Sequence, residues 1–194
     1  MPKIILASKS KVRREILKNN KINCIVEPSN VDEDPIKESL LNKGATPELV
    51  SKNLAEIKAN KVSQKKKGEL VLGADSVIDL DGEIISKPVN RIEALEILKK
   101  LNGKVHYLIS SVCISKNGSM IWNFTDKASL TMKKMTEEDL KNYLAKVTDE
   151  NLFAYNVYQI EGEGRLLFSK IEGNEDTIMG LPIEEIKNYL KIIK

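Results

Sequence analysis

The chain is poor in the residues that many enzyme chemistries require. Its 194 residues include one histidine, two cysteines and one tryptophan, and only 5% are aromatic. A zinc site built on two or more histidines is therefore excluded. A Ser-His-Asp or Cys-His device would have to use His106. That residue lies in Lys104-Val105-His106-Tyr107-Leu108-Ile109, a strand pattern with no nucleophile signal nearby, and reads as structural. Cys24 and Cys113 each sit in an apolar, strand-like run, which predicts two free buried thiols rather than a metal site. No apolar run approaches the roughly 18 residues of a spanning helix. The start, MPKIILASKS, has no apolar signal core, so a cytoplasmic protein is expected. The net charge of +3 is too small to argue for nucleic acid or a membrane surface. The lysine run Gln64 to Gly68 lacks interleaved aromatics and makes a poor nucleic-acid patch.

With 41% hydrophobic and 30% charged residues, the chain can bury a core and remain well solvated. Residues 1–194 are read as a single domain. Lys3 to Leu6 read as a short strand, and Val12, Ile16 and Leu17 as the apolar stripe of a helix starting near Ser10. Lys9, Lys11, Arg13 and Arg14 then crowd a helix N-terminus, where unpaired N–H groups and the macrodipole already favour anions. Two readings are open. An anion bound at the helix start, held by serine hydroxyls, backbone N–H groups and guanidinium forks, would remove the clash. Otherwise the helix is a surface one with solvated basic side chains. The phosphate-binding reading is preferred.

Further along, Ile22 to Val26 is strand-like and Val31 to Pro35 reads as an acidic loop. Thr46-Pro47 opens a helix through Leu49, Leu54, Ile57 and Val62. Glu69 to Ile78 reads as a long apolar strand, and Ile92 to Leu101 as a helix closed by Asn102-Gly103. Val105 to Ser115 and Met120 to Met132 read as strands joined by a hairpin at Asn117-Gly118. Thr136-x-x-Asp139 caps another helix, Leu166 to Ile171 is a last strand, and Pro182 begins a C-terminal helix. Alternating helices and strands interrupted by hairpins predict a mixed sheet in an α/β or α+β fold.

Leu70-Val71-Leu72-Gly73-Ala74-Asp75-Ser76 drives an apolar strand into an acid, with small residues just before it. Such a carboxylate needs a cation, a metal or several hydrogen bonds. Asp81-Gly82 turns the chain, and Glu83 to Lys87 returns beside it. A two-residue turn sets Lys87 opposite Ser76, and a three-residue turn sets it opposite Asp75. Either register brings Lys87 near the carboxylate, as an acid and an amine sharing a metal-phosphate ligand or as an ordinary salt-bridged hairpin. Glu33 could add a second carboxylate for a divalent ion, although an acidic loop is also often only solvated.

The segments LASKSKVRREIL, NVDE, LAEIKANKV, LGADSVIDLDGEIISKP, LNGKVHYLISSVCI, YQIEGEG and IEGNEDTIMGLPIEEI span essentially the whole chain. Together and in this order they resemble the Maf (septum formation inhibitor) family of nucleoside triphosphate pyrophosphatases. The resemblance implies a mixed, twisted β-sheet flanked by helices, with two lobes and a cleft between them, as in ITPase-like folds. It implies hydrolysis of a nucleoside triphosphate to the monophosphate and pyrophosphate with a divalent metal (Mg or Mn), and a cytoplasmic enzyme, commonly a homodimer. No nucleic-acid or membrane partner is implied. By motif, Ser8, Arg13 and Arg14 would hold phosphates, joined by Glu33, Lys58 and Lys87. Asp75 would be the proton acceptor, and Asp75 with Glu33 would face the metal. Lys58 comes from the resemblance alone, since the pattern by itself reads it as a solvated helix lysine.

Departures from the family pattern are Lys11 in place of a proline and Ser86 in place of a glycine. Val12, Ser76 and Glu161 stand where the dTTP/UTP branch has arginine, threonine and glutamine. A glutamate at the last position is similar to the 7-methyl-GTP branch. It can accept from guanine N1–H and N2–H₂ but cannot donate to a pyrimidine carbonyl. The expected reaction is metal-assisted attack of water on the α-phosphorus, with modified or non-canonical purine nucleotides favoured. The competing expectation is a nucleotide-binding regulator of cell division with little catalysis.

Overall fold

The structure is a computed structural model that describes residues 2–193. Strand β1 (Ile4–Leu6) leads into helix α1 (Lys11–Asn19) and strand β2 (Cys24–Val26). Helices α2 (Glu33–Asn42) and α3 (Pro47–Lys65) follow, then strands β3 (Leu70–Leu80) and β4 (Glu83–Ile85). Helix α4 (Arg91–Leu101) precedes the long strands β5 (Val105–Lys116) and β6 (Ser119–Met132). Helices α5 (Glu137–Lys146) and α6 (Asp149–Tyr155), a 3-10 turn at Glu163–Leu167, strand β7 (Phe168–Glu172) and helices α7 (Glu175–Ile178) and α8 (Ile183–Ile192) complete the fold.

Local chemistry sets the boundaries. Ser10, Thr46 and Thr136 cap α1, α3 and α5 by accepting from the N–H three residues on, and Thr136 with Asp139 forms a full capping box. Asp81-Gly82 and Asn117-Gly118 have left-handed φ at both positions (54° and 88°, 54° and 85°). This is the two-residue hairpin geometry those sequences favour. β3 pairs with β4 accordingly, Leu80 opposite Glu83 and Ile78 opposite Ile85. The two-residue register is the one formed, but pairing stops at Ile85, before Lys87.

The sheet is mixed, as expected, with strands in the order β2-β1-β3-β5-β6-β7 and β4 also paired to β3. β1 runs parallel to β2 and β3, and the remaining pairs are antiparallel. β5 occupies one edge of β3 from Val71 to Asp79. The other edge is shared: β1 pairs with Leu70 to Leu72, and β4 with Ile78 to Leu80. The stretch Gly73 to Val77 between them has no strand partner there, and that gap is the floor of a cleft. Two hydrophobic clusters flank it. One gathers Ile4, Leu17, Leu72, Ile114 and Ile186 around β1, α1 and α8. The other gathers Leu80, Leu98, Leu130, Leu140 and Phe168 around β4, α4, α5 and β7. These are the two lobes of the expected fold.

Four sequence expectations are corrected. The acidic segment is the start of α2 rather than a loop; Glu33 and Asp34 favour a helix N-terminus, and Pro35 needs no N–H in the first turn. The strand expected at Leu166 begins at Phe168, because Glu163 to Leu167 winds into a 3-10 turn. Helices α6 and α7 were not anticipated; both are short and rely on asparagine or threonine caps. Cys113 is buried as expected, but Cys24 is half-exposed because β2 lies at the sheet edge.

Candidate active site

Side chains along a strand alternate between faces, so Gly73 and Asp75 share one face of β3 while Ala74 and Ser76 share the other. On the first face lies α3. A Cβ at Gly73 would meet Ala55 O at 2.2 Å and Ala59 N at 2.7 Å, so only glycine permits this approach. The close packing brings the buried stripe of α3, Ser51, Leu54, Ala55, Lys58, Ala59 and Val62, directly onto the strand. Ser51 Oγ donates to the Asp75 carbonyl at 3.1 Å. Lys58 Nζ lies 2.7 Å from Asp75 Oδ1 and 2.8 Å from Glu33 Oε1 at the start of α2. Asp75 is only 4% exposed and its Oδ2 has no hydrogen-bond partner.

The electrostatics follow from that triad. Burial pushes the Asp75 carboxyl above its ordinary value, even though Lys58 and Arg13 pull it down. Glu33 goes the other way: burial opposes ionisation, but the Lys58 charge and hydrogen bond, with Lys37 and Arg13, hold it below the usual range. One ammonium thus serves two acids of unequal basicity.

On the opposite face sits Arg13, projecting from the first turn of α1. Its Nη1 donates to Ala74 O at 3.0 Å, in the gap where a strand would have paired, and to Ser8 Oγ at 3.4 Å. Nε donates to Gly180 O at 2.9 Å and Nη2 to Ser76 Oγ at 3.1 Å. Four of its five N–H groups are engaged, leaving one Nη2–H for a ligand. The free guanidinium fork expected for this residue is instead a strut that joins α1, β3 and the Gly180 turn. Gly180 has φ of 94°, and a Cβ there would lie 3.0 Å from Ser76 Oγ.

The cleft between the lobes has a volume of about 570 Å³, within the range of small-molecule sites. Ser8, Arg13, Glu33, Lys58, Asp75 and Lys87 all line it. Val12, Ser76 and Glu161 line it as well, with Glu161 at the exposed rim. Arg14 does not. It points away, largely exposed, with Glu15 3.8 Å from its guanidinium. Lys87 reaches the cleft without contacting Asp75; its Nζ donates to Ala154 O at 2.6 Å, near the C-terminus of α6. Asn156 fastens this corner by donating to Ile85 O and Ser86 O at 3.4 and 3.3 Å. Ser51, Ser110 and Gly180 are site-building residues that the sequence reading missed. The small-residue stripe of α3 facing Gly73 was the signal available for the first of them.

No group of three or more His, Cys, Asp or Glu side chains is arranged to hold a metal among the described residues. Asp75, with its unpartnered oxygen, and Glu33 beside it fit a divalent ion that takes its remaining ligands from a phosphate chain and water.

A family model described as Maf-like protein matches residues 3–193. The chain belongs to the Maf-like family. It is 72% identical over 191 residues to the nucleoside triphosphate pyrophosphatase of Pelagibacter ubique (strain HTCC1062), covering 98% of each chain. It is 39% identical over 181 residues to the 7-methyl-GTP pyrophosphatase of Brucella abortus biovar 1 (strain 9-941), covering 93% of this chain and 91% of the other. Among solved structures, a HAM1 protein from Coxiella burnetii shares the fold with a TM-score of 0.54 and 12% identity, over 98% of this chain and 99% of that one. The Maf-like span takes in every residue described in the cleft. No helix among the described residues is long and apolar enough to cross a membrane.

Proposed function

We propose that this Maf-like protein is a nucleoside triphosphate pyrophosphatase, cleaving the bond between the α- and β-phosphates to release the nucleoside monophosphate and pyrophosphate. The observation that carries the reading is the convergence of Arg13, Lys58 and Lys87 with two acids on one cleft of about 570 Å³. Three cations suit a polyanion, and a buried carboxylate of raised basicity suits a proton acceptor.

In this reading the triphosphate lies along the gap in β3. Arg13 offers its remaining N–H, the Ser8 hydroxyl and the N-terminus of α1 face the phosphate oxygens, and Lys87 meets the charge of the leaving pyrophosphate. Water attacks the α-phosphorus in line with the bridging oxygen. The new P–O bond forms as the bond to the β-phosphate breaks, and the water proton passes to the Asp75 carboxylate. Lys58 holds Asp75 and Glu33 in place and neutralises one of their two charges. Asp75 and Glu33 would hold a magnesium or manganese ion, which when bound supplies phosphate charge neutralisation and makes a coordinated water more acidic. In this reading the enzyme acts on free nucleotides in the cytoplasm with no nucleic-acid partner, and the family resemblance is what suggests a homodimer.

Glu161 at the rim favours a purine bearing N–H donors or a methylated, positively charged ring. The 39% identical Brucella protein named 7-methyl-GTP pyrophosphatase supports that preference. Glu161→Gln is expected to move kcat/KM toward pyrimidine triphosphates by roughly tenfold, the scale of one hydrogen-bond mismatch in a tolerant pocket. An unchanged ranking across a panel of canonical and modified triphosphates removes Glu161 from base reading. The reaction itself is tested in ¹⁸O-water. Label in the monophosphate supports attack at the α-phosphorus, and label in orthophosphate with a diphosphate product contradicts it. A protein that binds triphosphate but releases no pyrophosphate with either metal fits the regulator instead.

A further inference from the structure

Beside the acids of the cleft runs a second polar chain, on the other face of β3. Ser76 and Ser110 are direct cross-strand partners, and their hydroxyls lie 2.7 Å apart. Ser110 Oγ is also 2.7 Å from the carbonyl of Thr177, which can only accept. Ser110 has a single proton, so it donates to Thr177 and must accept from Ser76. Ser76 has then used its own proton, and its oxygen accepts from Arg13 Nη2 at 3.1 Å. The order is therefore fixed, from Arg13 through Ser76 and Ser110 to Thr177. Its far end is anchored twice. Thr177 Oγ1 donates to Asp126 Oδ2 at 2.6 Å, and the Thr177 carbonyl also accepts from Gly180 N at 3.0 Å. Gly180 in turn accepts Arg13 Nε at 2.9 Å. Ser110 and Thr177 are fully buried and do not line the cleft, so neither can touch a ligand there.

We propose that Ser110 and Thr177 are positioning residues, acting through Ser76 to restrain the Nη2 group of Arg13 so that its one uncommitted N–H stays aimed at the phosphates. This rests on the polyphosphate reading of the cleft. The chemistry is one of direction. If Ser110 loses its hydroxyl, Ser76 keeps its proton without an acceptor. Its rotor then turns to another partner, and Arg13 Nη2 loses a fixed oxygen. The Nε and Nη1 bonds keep the planar guanidinium in place, so what loosens is rotation about Cζ–Nη2, which exchanges the two N–H groups of that nitrogen. The same chain accounts for Ser76 itself. Its proton is committed to Ser110, so toward a ligand in the cleft its hydroxyl can only accept.

The test compares Ser110→Ala, Ser110→Thr and the wild type by two readouts. The first needs no ligand: side-chain nitrogen NMR of Arg13. Restricted Nη–H signals are expected in wild type and Ser110→Thr, and averaged signals in Ser110→Ala. The second is calorimetric binding of an α,β-methylene nucleoside triphosphate with magnesium. Ser110→Ala is expected to weaken binding about five- to tenfold and Ser110→Thr to restore it. In an Arg13→Lys background, Ser110→Ala should have no further effect, because it works only through that guanidinium. Unchanged Arg13 signals in Ser110→Ala, or binding losses that simply add in the double variant, overturn the proposal. If the wild type shows the restricted signals but binds no triphosphate, the functional reading fails and the phosphate role of the chain fails with it. Should Ser110→Ala not fold, Ser110→Cys, with its weak donor, carries the same expectations.

Discussion

Asp75 and His106 are both buried ionisable groups, and each has one atom without a hydrogen-bond partner, Oδ2 and Nδ1 respectively. Their surroundings differ completely. Asp75 stands at the gap in β3, where Lys58, Glu33 and Arg13 all act on its charge. His106 stands inside the second lobe, its Nε2 2.9 Å from the Tyr158 hydroxyl and its ring tilted against Tyr158 and Phe168. Only burial acts on its titration, lowering its pKa to about 4, so it is neutral at physiological pH. Burial alone makes an inert group. Burial at the edge of a cleft, among charges that a ligand can rearrange, makes the candidate for the proposed chemistry.

The largest contrast is expected from removing the charge that distinguishes the two. Lys58→Met leaves Asp75 and Glu33 facing each other without their shared cation. Turnover should fall on the order of 10²- to 10³-fold, and stability by about 3 kcal/mol, the cost of unpairing a buried ion. Its acid limb should also move to higher pH, since Lys58 is what draws the Asp75 carboxyl down. Stopped assays across pH with a parallel thermal melt measure all three. An unmoved acid limb would separate Lys58 from the acid's basicity.

Gly73→Ala attacks the same region through packing. Its Cβ would collide with the α3 backbone, so α3 must shift and carry Lys58 and Ser51 with it. A loss of about 2 kcal/mol and roughly a tenfold drop in kcat/KM are expected from denaturation and steady-state kinetics. A stable variant with full activity would show that the approach of α3 does not set the Lys58 position.

His106 supplies the smallest effect on activity. His106→Leu should leave kcat/KM within about threefold while costing about 1–2 kcal/mol, because the buried Tyr158 hydroxyl loses its partner. The sign of the pH effect is also fixed. The folded pKa of about 4 lies below the ordinary 6.5, so the unfolded chain takes up the proton first as the pH falls. Stability from this group is complete above pH 6.5 and is lost as the pH falls toward 4, about 3 kcal/mol in all. Asp75 contributes the opposite sign, since its raised folded pKa favours proton uptake by the native state. Urea titrations of wild type and His106→Leu between pH 7 and pH 4 isolate the histidine contribution. Parallel curves would remove it.

The same contrast explains what could be read before the structure. Asp75 was legible because small residues lead an apolar strand into an acid, and both hairpins were legible because Asp-Gly and Asn-Gly demand a particular turn. Lys58 was not, although its position follows from helical period: Ser51, Leu54, Ala55, Lys58, Ala59 and Val62 fall on one buried stripe of α3. A lysine on an apolar stripe is a buried cation in search of an acid, and Gly73 marks where that stripe meets the strand. The partner of Lys87 was read from hairpin register, but pairing ends at Ile85 and α6, unseen in the sequence, supplies a backbone carbonyl instead. Arg13 was rightly located at the helix start, yet its ties to Gly180, Ala74 and Ser76 are long-range contacts that local pattern does not encode.

Pyrophosphate release by Asp75→Asn against wild type, with magnesium and a panel of nucleoside triphosphates, tests the account most directly. The substitution keeps size and the Lys58-facing oxygen while removing the carboxylate proposed as proton acceptor. Turnover at least about 10³-fold below wild type, with triphosphate binding and fold retained, is the expected result. A folded Asp75→Asn protein that releases pyrophosphate at the wild-type rate would contradict it.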